Sequence, residues 1–154
     1  DKLFACGGSG SNSQHGGSTQ TRFAIVEQYD PQANRWSAAA SMRTPRSSFG
    51  AGAVGDALFV CGGWSTTSKL STVERFDLRS GAWCSAAPMR RERCALAACA
   101  LDGALYACGG FDGFRNLTTA ERFDPREGRW TELAPMGTRR FSHALAALGD
   151  CLYA

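Results

Sequence analysis

The sequence predicts an all-β fold built from a repeated unit of four short strands. Landmark residues recur at a spacing of 47, as in Trp36, Trp83 and Trp130. Within one unit, short apolar or alternating segments are separated by turn residues, and no segment shows sustained helical periodicity. A four-stranded unit that repeats in this way is the blade of a β-propeller.

The four strands of a blade are clearest between residues 48 and 87. "SFGAGAV" at 48–54 is small and glycine-rich, which suits an innermost strand where blades converge. "ALFVCGG" at 57–63 is continuously apolar, as expected of a strand that is buried on both faces. "STVERFD" at 71–77 alternates, and "AWCSAA" at 82–87 carries the tryptophan. The pattern therefore predicts one four-stranded antiparallel sheet per repeat.

The repeat covers the whole chain, residues 1–154, as one region. We expect a partial blade at 1–41, complete blades at 42–88 and 89–135, and a partial blade at 136–154. The spacing of the Gly-Gly pair departs from 47 once, because eight extra residues follow the first pair in "SGSNSQHGGSTQTR". Serine and glycine dominate that stretch, which predicts a lengthened loop.

The number of blades is too small to close a ring. Propellers have four to eight blades, and this chain carries about three. Open ends would expose sheet edges and apolar faces. Either the remaining blades lie outside this sequence, which we favour, or two chains combine as a homodimer into a ring of about six.

Composition and charge argue against several classes of partner. The formal net charge is +3 over 154 residues, which is too mild to predict binding to nucleic acid or to a membrane surface. No apolar run reaches the length of about 18 residues that a membrane span requires. The seven cysteines have no C-x-x-C spacing, so we expect buried, reduced thiols in a cytoplasmic protein. The alternative is a redox-sensing thiol, for which Cys94 is the best candidate, because Arg91 and Arg93 could lower its pKa.

A charged pair recurs in every blade. Glu74 alternates in phase with Phe76, so it points toward the core and needs a partner. Arg46 and Arg93 keep the repeat spacing and offer a planar fork for such a carboxylate. We favour one Arg–Glu pair per blade that holds the blades together. The alternative is a ring of arginines that binds a ligand.

The sequence around the third repeat resembles the kelch repeat. "CGGFDGFRNLTTAERFDPREGRWTELAPMGTRRFS" at 108–142 carries Gly-Gly, Glu-Arg-Phe-Asp, Gly-x-Trp and Ala-Pro-Met-x-x-x-Arg in order. The copies look like the kelch domains of BTB–kelch adaptors, in which a BTB domain recruits a cullin ubiquitin ligase and the propeller binds the substrate. The resemblance implies a non-catalytic interaction module, and a link to a cullin ligase through a domain outside this chain.

Function is expected where the repeats differ, on loops that a rigid scaffold presents. One loop set follows the Gly-Gly pair and the other precedes the inner strand, and both lie at the same end of the blades. In the resembling adaptors this face binds a degron peptide, and the positions carried over are Trp64, Phe111, Arg115, Asn116, Ser47, Cys94 and Phe141. Cys94 and Phe141 depart from the serine that those adaptors often have, so we expect a different ligand.

The chemistry of the loops suits a protein or peptide partner. Phe114 joins Trp64 and Phe111 as an apolar anchor, since aromatic residues are frequent at binding hot spots. Arg91, Arg139 and Arg115 offer charge-assisted hydrogen bonds, which predicts an acidic or phosphorylated motif. The alternative for Trp64 and Phe111 is packing on neighbouring blades.

Other functions find less support in the residues. Some kelch propellers are enzymes such as copper radical oxidases, but a copper site needs clustered imidazole and phenolate ligands. The chain has two histidines, His15 and His143, and no nucleophile motif or phosphate loop. We therefore assign no catalytic residue, metal or cofactor. A cytoskeletal scaffold that binds actin remains the alternative to ligase substrate recognition.

Overall fold

A computed structural model describes residues 2–12 and 19–154 of the chain, and every element in them is a β-strand. The first sheet contains β1 (Leu3–Cys6), β4 (Val26–Asp30) and β5 (Arg35–Ala39), and a separate hairpin contains β2 (Ser9–Asn12) and β3 (Thr19–Arg22). The second sheet contains β6 (Gly50–Val54), β7 (Ala57–Cys61), β8 (Val73–Asp77) and β9 (Ala82–Ala86). The third contains β10 (Ala97–Leu101), β11 (Ala104–Cys108), β12 (Ala120–Asp124) and β13 (Arg129–Leu133), and the last is β14 (Ala146–Leu148) with β15 (Cys151–Tyr153).

The two complete sheets are the blades that the repeat predicts. In each one, four antiparallel strands lie in sequence order, from the innermost strand to the outermost. The second strand, β7, is buried along its whole length, as its unbroken apolar sequence predicts. The chain is thus all-β, and its complete sheets have the four-stranded antiparallel architecture of β-propeller blades. The predicted residue limits of the repeat region and of its blades stay a prediction.

The core lies between neighbouring blades. Phe4 on β1 contacts Phe76 on β8 with ring centroids 5.8 Å apart, and Phe59 on β7 meets Phe123 on β12 in the same way at 5.5 Å. The indole N–H of Trp83 donates a hydrogen bond of 2.7 Å to the Ala40 carbonyl, which belongs to the connector from the preceding blade. The same aromatic contact recurs at equivalent positions of successive blades, so each blade packs on the next through one repeated surface.

Small residues let the inner strands approach each other. A side chain added at Gly50 would bring its Cβ within 2.6 Å of the Ala98 Cβ on the inner strand of the next blade. No larger residue fits there unless the two blades separate. The glycine-rich inner strand is therefore a requirement of blade convergence, as the sequence predicts.

The first and last sheets differ from the complete blades. Trp36 on β5 is 50% exposed, whereas its counterparts Trp83 and Trp130 are each 6% exposed. Within the described part of the chain, no blade precedes the first sheet to cover Trp36. The lengthened loop was predicted without strands, but its described ends pair as the β2–β3 hairpin. The middle of that loop, residues 13–18, lies outside the described residues.

Candidate functional site

The six segments that join strands at one end of the sheets form a continuous surface, which we call the loop face. The antiparallel order places both predicted loop sets there, because β7 ends at the same edge where β6 begins. The opposite end, which we call the turn face, carries the short turns. The loop face consists of residues 7–12 with 19–25, 40–49, 62–72, 87–96, 109–119 and 134–145.

Buried ion pairs anchor the connectors that cross the loop face. The Arg93 guanidinium is fully buried and donates hydrogen bonds to the Glu121 carboxylate at 2.7 Å, the Gly109 carbonyl at 2.9 Å and the Thr119 carbonyl at 3.0 Å. The other Glu121 oxygen accepts the backbone N–H of Arg90 at 2.9 Å. These bonds tie the connector that enters the third blade to that blade's own third strand.

The same arrangement occurs one repeat earlier. Arg46 donates to Glu74 at 2.7 Å, and Glu74 also accepts the backbone N–H groups of Arg43 and Thr44. Both arginines are completely enclosed, so they are unavailable to a ligand. The structural interpretation of the Arg–Glu pairs therefore holds for Arg46 and Arg93, whereas Arg140, the third arginine at the repeat spacing, is exposed.

Backbone pairing brings the two predicted loop sets together. Trp64 and Ser47 exchange two backbone hydrogen bonds, of 2.8 and 3.0 Å, and Phe111 exchanges the same two bonds with Cys94. Phe111 also forms an isolated bridge with Asn116. Each aromatic residue after the Gly-Gly pair is thus held beside the residue that follows the buried arginine. The resemblance to kelch adaptors predicts that these residues share one site, and the backbone pairing holds them next to each other.

A cleft opens where the third blade meets the C-terminal segment. It has a volume of about 380 Å³ and an exposed aromatic wall, since Phe141 is 53% exposed. Arg139 stands at its rim and donates a hydrogen bond of 2.9 Å to the Asn116 carbonyl. We call this the Phe111–Phe141 cleft, and it is lined by Cys94, Ala95, Phe111, Asn116, Phe141 and Ser142.

Phe114 projects from the tip of the loop beside the cleft. Its side chain is 94% exposed, the highest value among the large apolar residues of the described chain. Asp112 holds this tip, because its carboxylate accepts the backbone N–H groups of Phe114 at 2.8 Å and Arg115 at 2.9 Å. These N–H donors lower the pKa of Asp112, so the turn keeps its charged acceptor. Phe114 and Arg115 are therefore presented outward on a defined turn.

Trp64, one of the predicted anchors, lies against basic side chains of two loops. Two side-chain cations lie over the indole ring of Trp64: Lys69 Nζ is 4.9 Å and Arg22 Cζ is 5.9 Å from the ring centroid. Cation–π contacts of this kind contribute about 0.5–1 kcal/mol each at exposed sites. Arg22 comes from the β2–β3 hairpin of the preceding blade, so Trp64 packs against neighbouring loops. This supports the packing alternative for Trp64, whereas Phe111 lines the cleft.

Sequence reasoning missed Arg22 and Lys69 as members of the site. Neither residue belongs to a repeated motif, and contact with Trp64 depends on how the lengthened loop folds back. The only signal was the extra length of that loop next to an aromatic residue. A lengthened loop beside a repeat aromatic is therefore a useful pointer to a chain-specific contact.

Two predicted contact residues are enclosed. Ser47 is 8% exposed and Cys94 is 7% exposed, so each contributes mainly its backbone to the loop face. The hypothesis of a reactive Cys94 thiol is wrong in its premise, because burial raises the pKa of this thiol. Arg91 is exposed on its connector, and it forms no ion pair with another described residue.

A larger cavity lies away from the loop face. It has a volume of about 700 Å³ and is bounded by Phe4 and Phe76, between the first two sheets. Lys2, Leu78 and Gly81 place its mouth toward the turn face. Its wall is part of the blade-to-blade interface, and none of the predicted site residues lies there.

The described residues contain no cluster of three or more histidine, cysteine or acidic side chains that could hold a metal ion. Nor do these residues, 2–12 and 19–154, include any helix long and apolar enough to cross a membrane.

Comparison with known families agrees with the fold. The kelch motif matches residues 1–43, 45–90 and 92–137, which together span most of the chain. The chain therefore belongs to the kelch-repeat family. Repeats of this family generally mediate protein–protein interactions, and their domains are typically non-catalytic. No curated protein matches the chain.

Proposed function

We propose that the loop face is the binding surface for a protein partner, and that the protein recognises substrates for a cullin-type ubiquitin ligase in the cytoplasm. One observation carries the first part: the unrepeated loop residues converge on one exposed face with an apolar cleft, while the repeated residues are buried in the architecture. The ligase role rests on the resemblance to BTB–kelch adaptors, whose cullin contact lies outside the propeller.

Three exposed features support a peptide or degron as the ligand. Phe114 and Phe141 supply aromatic surface, and the cleft between Phe111 and Phe141 offers a recess for one side chain. Arg115, 61% exposed in its side chain, follows Phe114 in the same turn and supplies a guanidinium group whose Nε lies 3.9 Å from the Asp112 carboxylate. A phosphorylated motif is the variant of this ligand that the same arginine would also bind.

The first experiment compares loop-face and turn-face variants of the full-length protein. Phe114→Ala/Phe141→Ala removes exposed aromatic surface from the loop face, and Leu78→Ala removes an exposed apolar residue from the turn face. Partners recovered from cells are identified by mass spectrometry, and one is then purified and titrated by calorimetry. The proposal expects at least about a 10-fold loss of affinity for the double variant, because aromatic hot spots commonly contribute 2 kcal/mol or more.

The control decides between binding and folding. Leu78→Ala should bind as the wild type does, and all variants should melt at the wild-type temperature. Equal binding by the double variant and the wild type would remove the loop face from consideration. Loss of partner ubiquitylation when the cullin is inhibited would support the ligase role, whereas co-sedimentation with actin filaments without cullin association would favour the scaffold.

The uncovered first sheet supports a further blade beside it. Trp36 is half exposed in a position where Trp83 is almost fully buried, so we propose that another blade of the same kind covers it. Light scattering on this 154-residue chain separates the two sources of that blade. A dimer mass would mean that a second copy supplies it, and a monomer that binds hydrophobic dye would assign it to another part of a longer protein.

A further inference from the structure

We infer that the cavity between the first sheet and the second blade binds a small aromatic carboxylate, with its rings against Phe4 and Phe76 and its carboxylate on Lys2. We call it the turn-face cavity, because its mouth opens toward that end of the sheets. The cavity is separate from the loop face, so this inference does not depend on the proposed function.

The turn-face cavity has the size and the walls of a small-molecule site. Its volume is about 700 Å³, and sites for small ligands commonly measure about 300–1,000 Å³. Phe4 and Phe76 form an aromatic wall, with ring centroids 5.8 Å apart, and Leu78 adds aliphatic surface. Phe76 in turn packs on Trp83 with centroids 5.1 Å apart, so the blade core holds this wall in place. A ring that enters the cavity therefore meets ordered apolar surface.

The same aromatic contact is closed at the next interface. Phe59 and Phe123 repeat the contact between Phe4 and Phe76, and their exposed fractions are only 1% and 3%. Phe4, by contrast, is only partly buried. The opening beside the aromatic pair is thus a feature of the first interface and not a requirement of the repeated architecture.

Two positions at the open interface carry different chemistry from their equivalents. Lys2 precedes β1 at the place where β7 begins with Ala57, a residue that is 4% exposed. Gln28 lies opposite Phe4 in the strand register, as Arg75 lies opposite Phe59 in the next blade. The first change brings an ammonium group to the cavity, and the second replaces a guanidinium group with a neutral amide. One positive charge beside an apolar wall suits a ligand with one negative charge and an apolar body.

The Lys2 ammonium group has donors left for a ligand. It donates one hydrogen bond of 3.4 Å to the Gln28 amide oxygen, and no carboxylate in the described part of the chain lies within ion-pair distance of it. The Asp30 carboxylate accepts the backbone N–H groups of Gln32 and Ala33 at 2.9 and 3.1 Å instead. Because an ammonium group has three donors, two remain for a carboxylate.

The polar groups of the cavity suit a free small molecule better than a peptide. The Gln28 amide is already engaged, since it donates to Ser37 Oγ at 3.4 Å and accepts from Lys2. An extended peptide needs partners for its backbone N–H and carbonyl groups, and the apolar side chains of the walls supply none. A compact ring system with one carboxylate leaves no such group unsatisfied.

The probe is 2-naphthoate, titrated into the full-length protein by isothermal calorimetry. We expect saturable binding with a dissociation constant on the order of 0.1–1 mM, as ligand efficiency allows for a two-ring molecule. 2-Naphthamide has the same rings without the charge and should bind at least about 5-fold more weakly. Acetate has the charge without the rings and should not compete.

Matched variants locate the site, and thermal melting checks that each one is folded. Lys2→Met removes the charge and keeps an unbranched side chain, so its affinity for 2-naphthoate should fall to that for 2-naphthamide. Arg126→Met removes an exposed charge elsewhere on the turn face and should keep both affinities within about 2-fold of the wild type. Leu78→Gln makes the wall polar and should weaken both ligands by at least about 5-fold.

Several outcomes would overturn the inference. These are absent binding of 2-naphthoate, equal affinities for the acid and the amide, and equal effects of Lys2→Met and Arg126→Met. Loss of binding in Phe141→Ala would place the ligand in the Phe111–Phe141 cleft. Tighter binding of a tripeptide that ends in tryptophan would assign the cavity to a peptide carboxyl terminus. None of these results bears on whether a protein partner depends on Phe114 and Phe141, so the proposed function is tested separately.

Discussion

Removal of the buried Arg93 guanidinium should destabilise the blade far more than any exposed arginine on the same connector. Arg93 is completely enclosed, and its guanidinium donates hydrogen bonds to the Glu121 carboxylate and to two backbone carbonyls. Arg93→Met keeps the length and apolar stem of the side chain but leaves these acceptors without donors. Because Glu121 would then be a buried charge with one remaining backbone partner, we expect a loss of about 3–5 kcal/mol in the free energy of unfolding.

A matched control and a double variant test the reasoning. Arg91→Met lies two positions away on the surface and should change the free energy of unfolding by no more than about 0.5 kcal/mol. Arg93→Met/Glu121→Leu removes the charge together with its partner, so it should be more stable than Arg93→Met alone. Urea unfolding followed by tryptophan fluorescence measures all three. Equal stability of Arg93→Met and Arg91→Met, or no recovery in the double variant, would falsify the argument.

Two further predictions concern the repeated turns. Gly110→Ala should lower the free energy of unfolding in denaturant by at least about 1 kcal/mol more than Gly128→Ala. Both glycines have positive φ, but only at Gly110 would the new Cβ meet a carbonyl oxygen, that of Cys94 at 2.7 Å. Equal losses of stability in the two variants would show that backbone strain alone matters. The backbone N–H of Ser80 is the largest cause that lowers the pKa of Asp77, to about 2, from an unfolded value of about 3.9. The charged carboxylate therefore stabilises the fold above about pH 4, and this contribution is lost as the pH falls toward 2. The difference in unfolding free energy between the wild type and Asp77→Ala should shrink over that range, and a constant difference would contradict the assignment.

The sequence predicted the architecture well because each structural requirement of a blade selects the same residue type at equivalent positions of three repeats. The alternation of Glu74 and Phe76 indicated a buried carboxylate, and the shared spacing of Arg46 identified its partner. The apolar run of β7 indicated a strand covered on both sides, and it is buried at every residue. Residues that recur at equivalent positions of the repeats can therefore be assigned a structural role even from a single sequence.

The loop chemistry was less predictable because it depends on contacts between unrepeated residues. Trp64 was predicted as an anchor, but Arg22 and Lys69 occupy its ring, and the contact with Arg22 arises only because the lengthened loop folds back as a hairpin. Cys94 follows Arg91 and Arg93 in sequence, yet burial is the largest cause acting on its pKa. Neighbours in sequence were poor guides to neighbours in space wherever the chain turns sharply.

The repeated architecture also explains how one scaffold presents two unlike subsites side by side. Ser47, Trp64 and Lys69 occupy the same three places in the second blade as Cys94, Phe111 and Asn116 in the third, and the same backbone bridges hold both sets. The first set gathers cations around an indole, while the second lines an apolar cleft. Because buried Arg–Glu pairs fix both connectors, the spacing between the subsites is set by the blades rather than by the loops. A change of side chain at Trp64, Lys69, Phe111 or Asn116 should therefore alter the chemistry of the loop face without altering the fold that presents it.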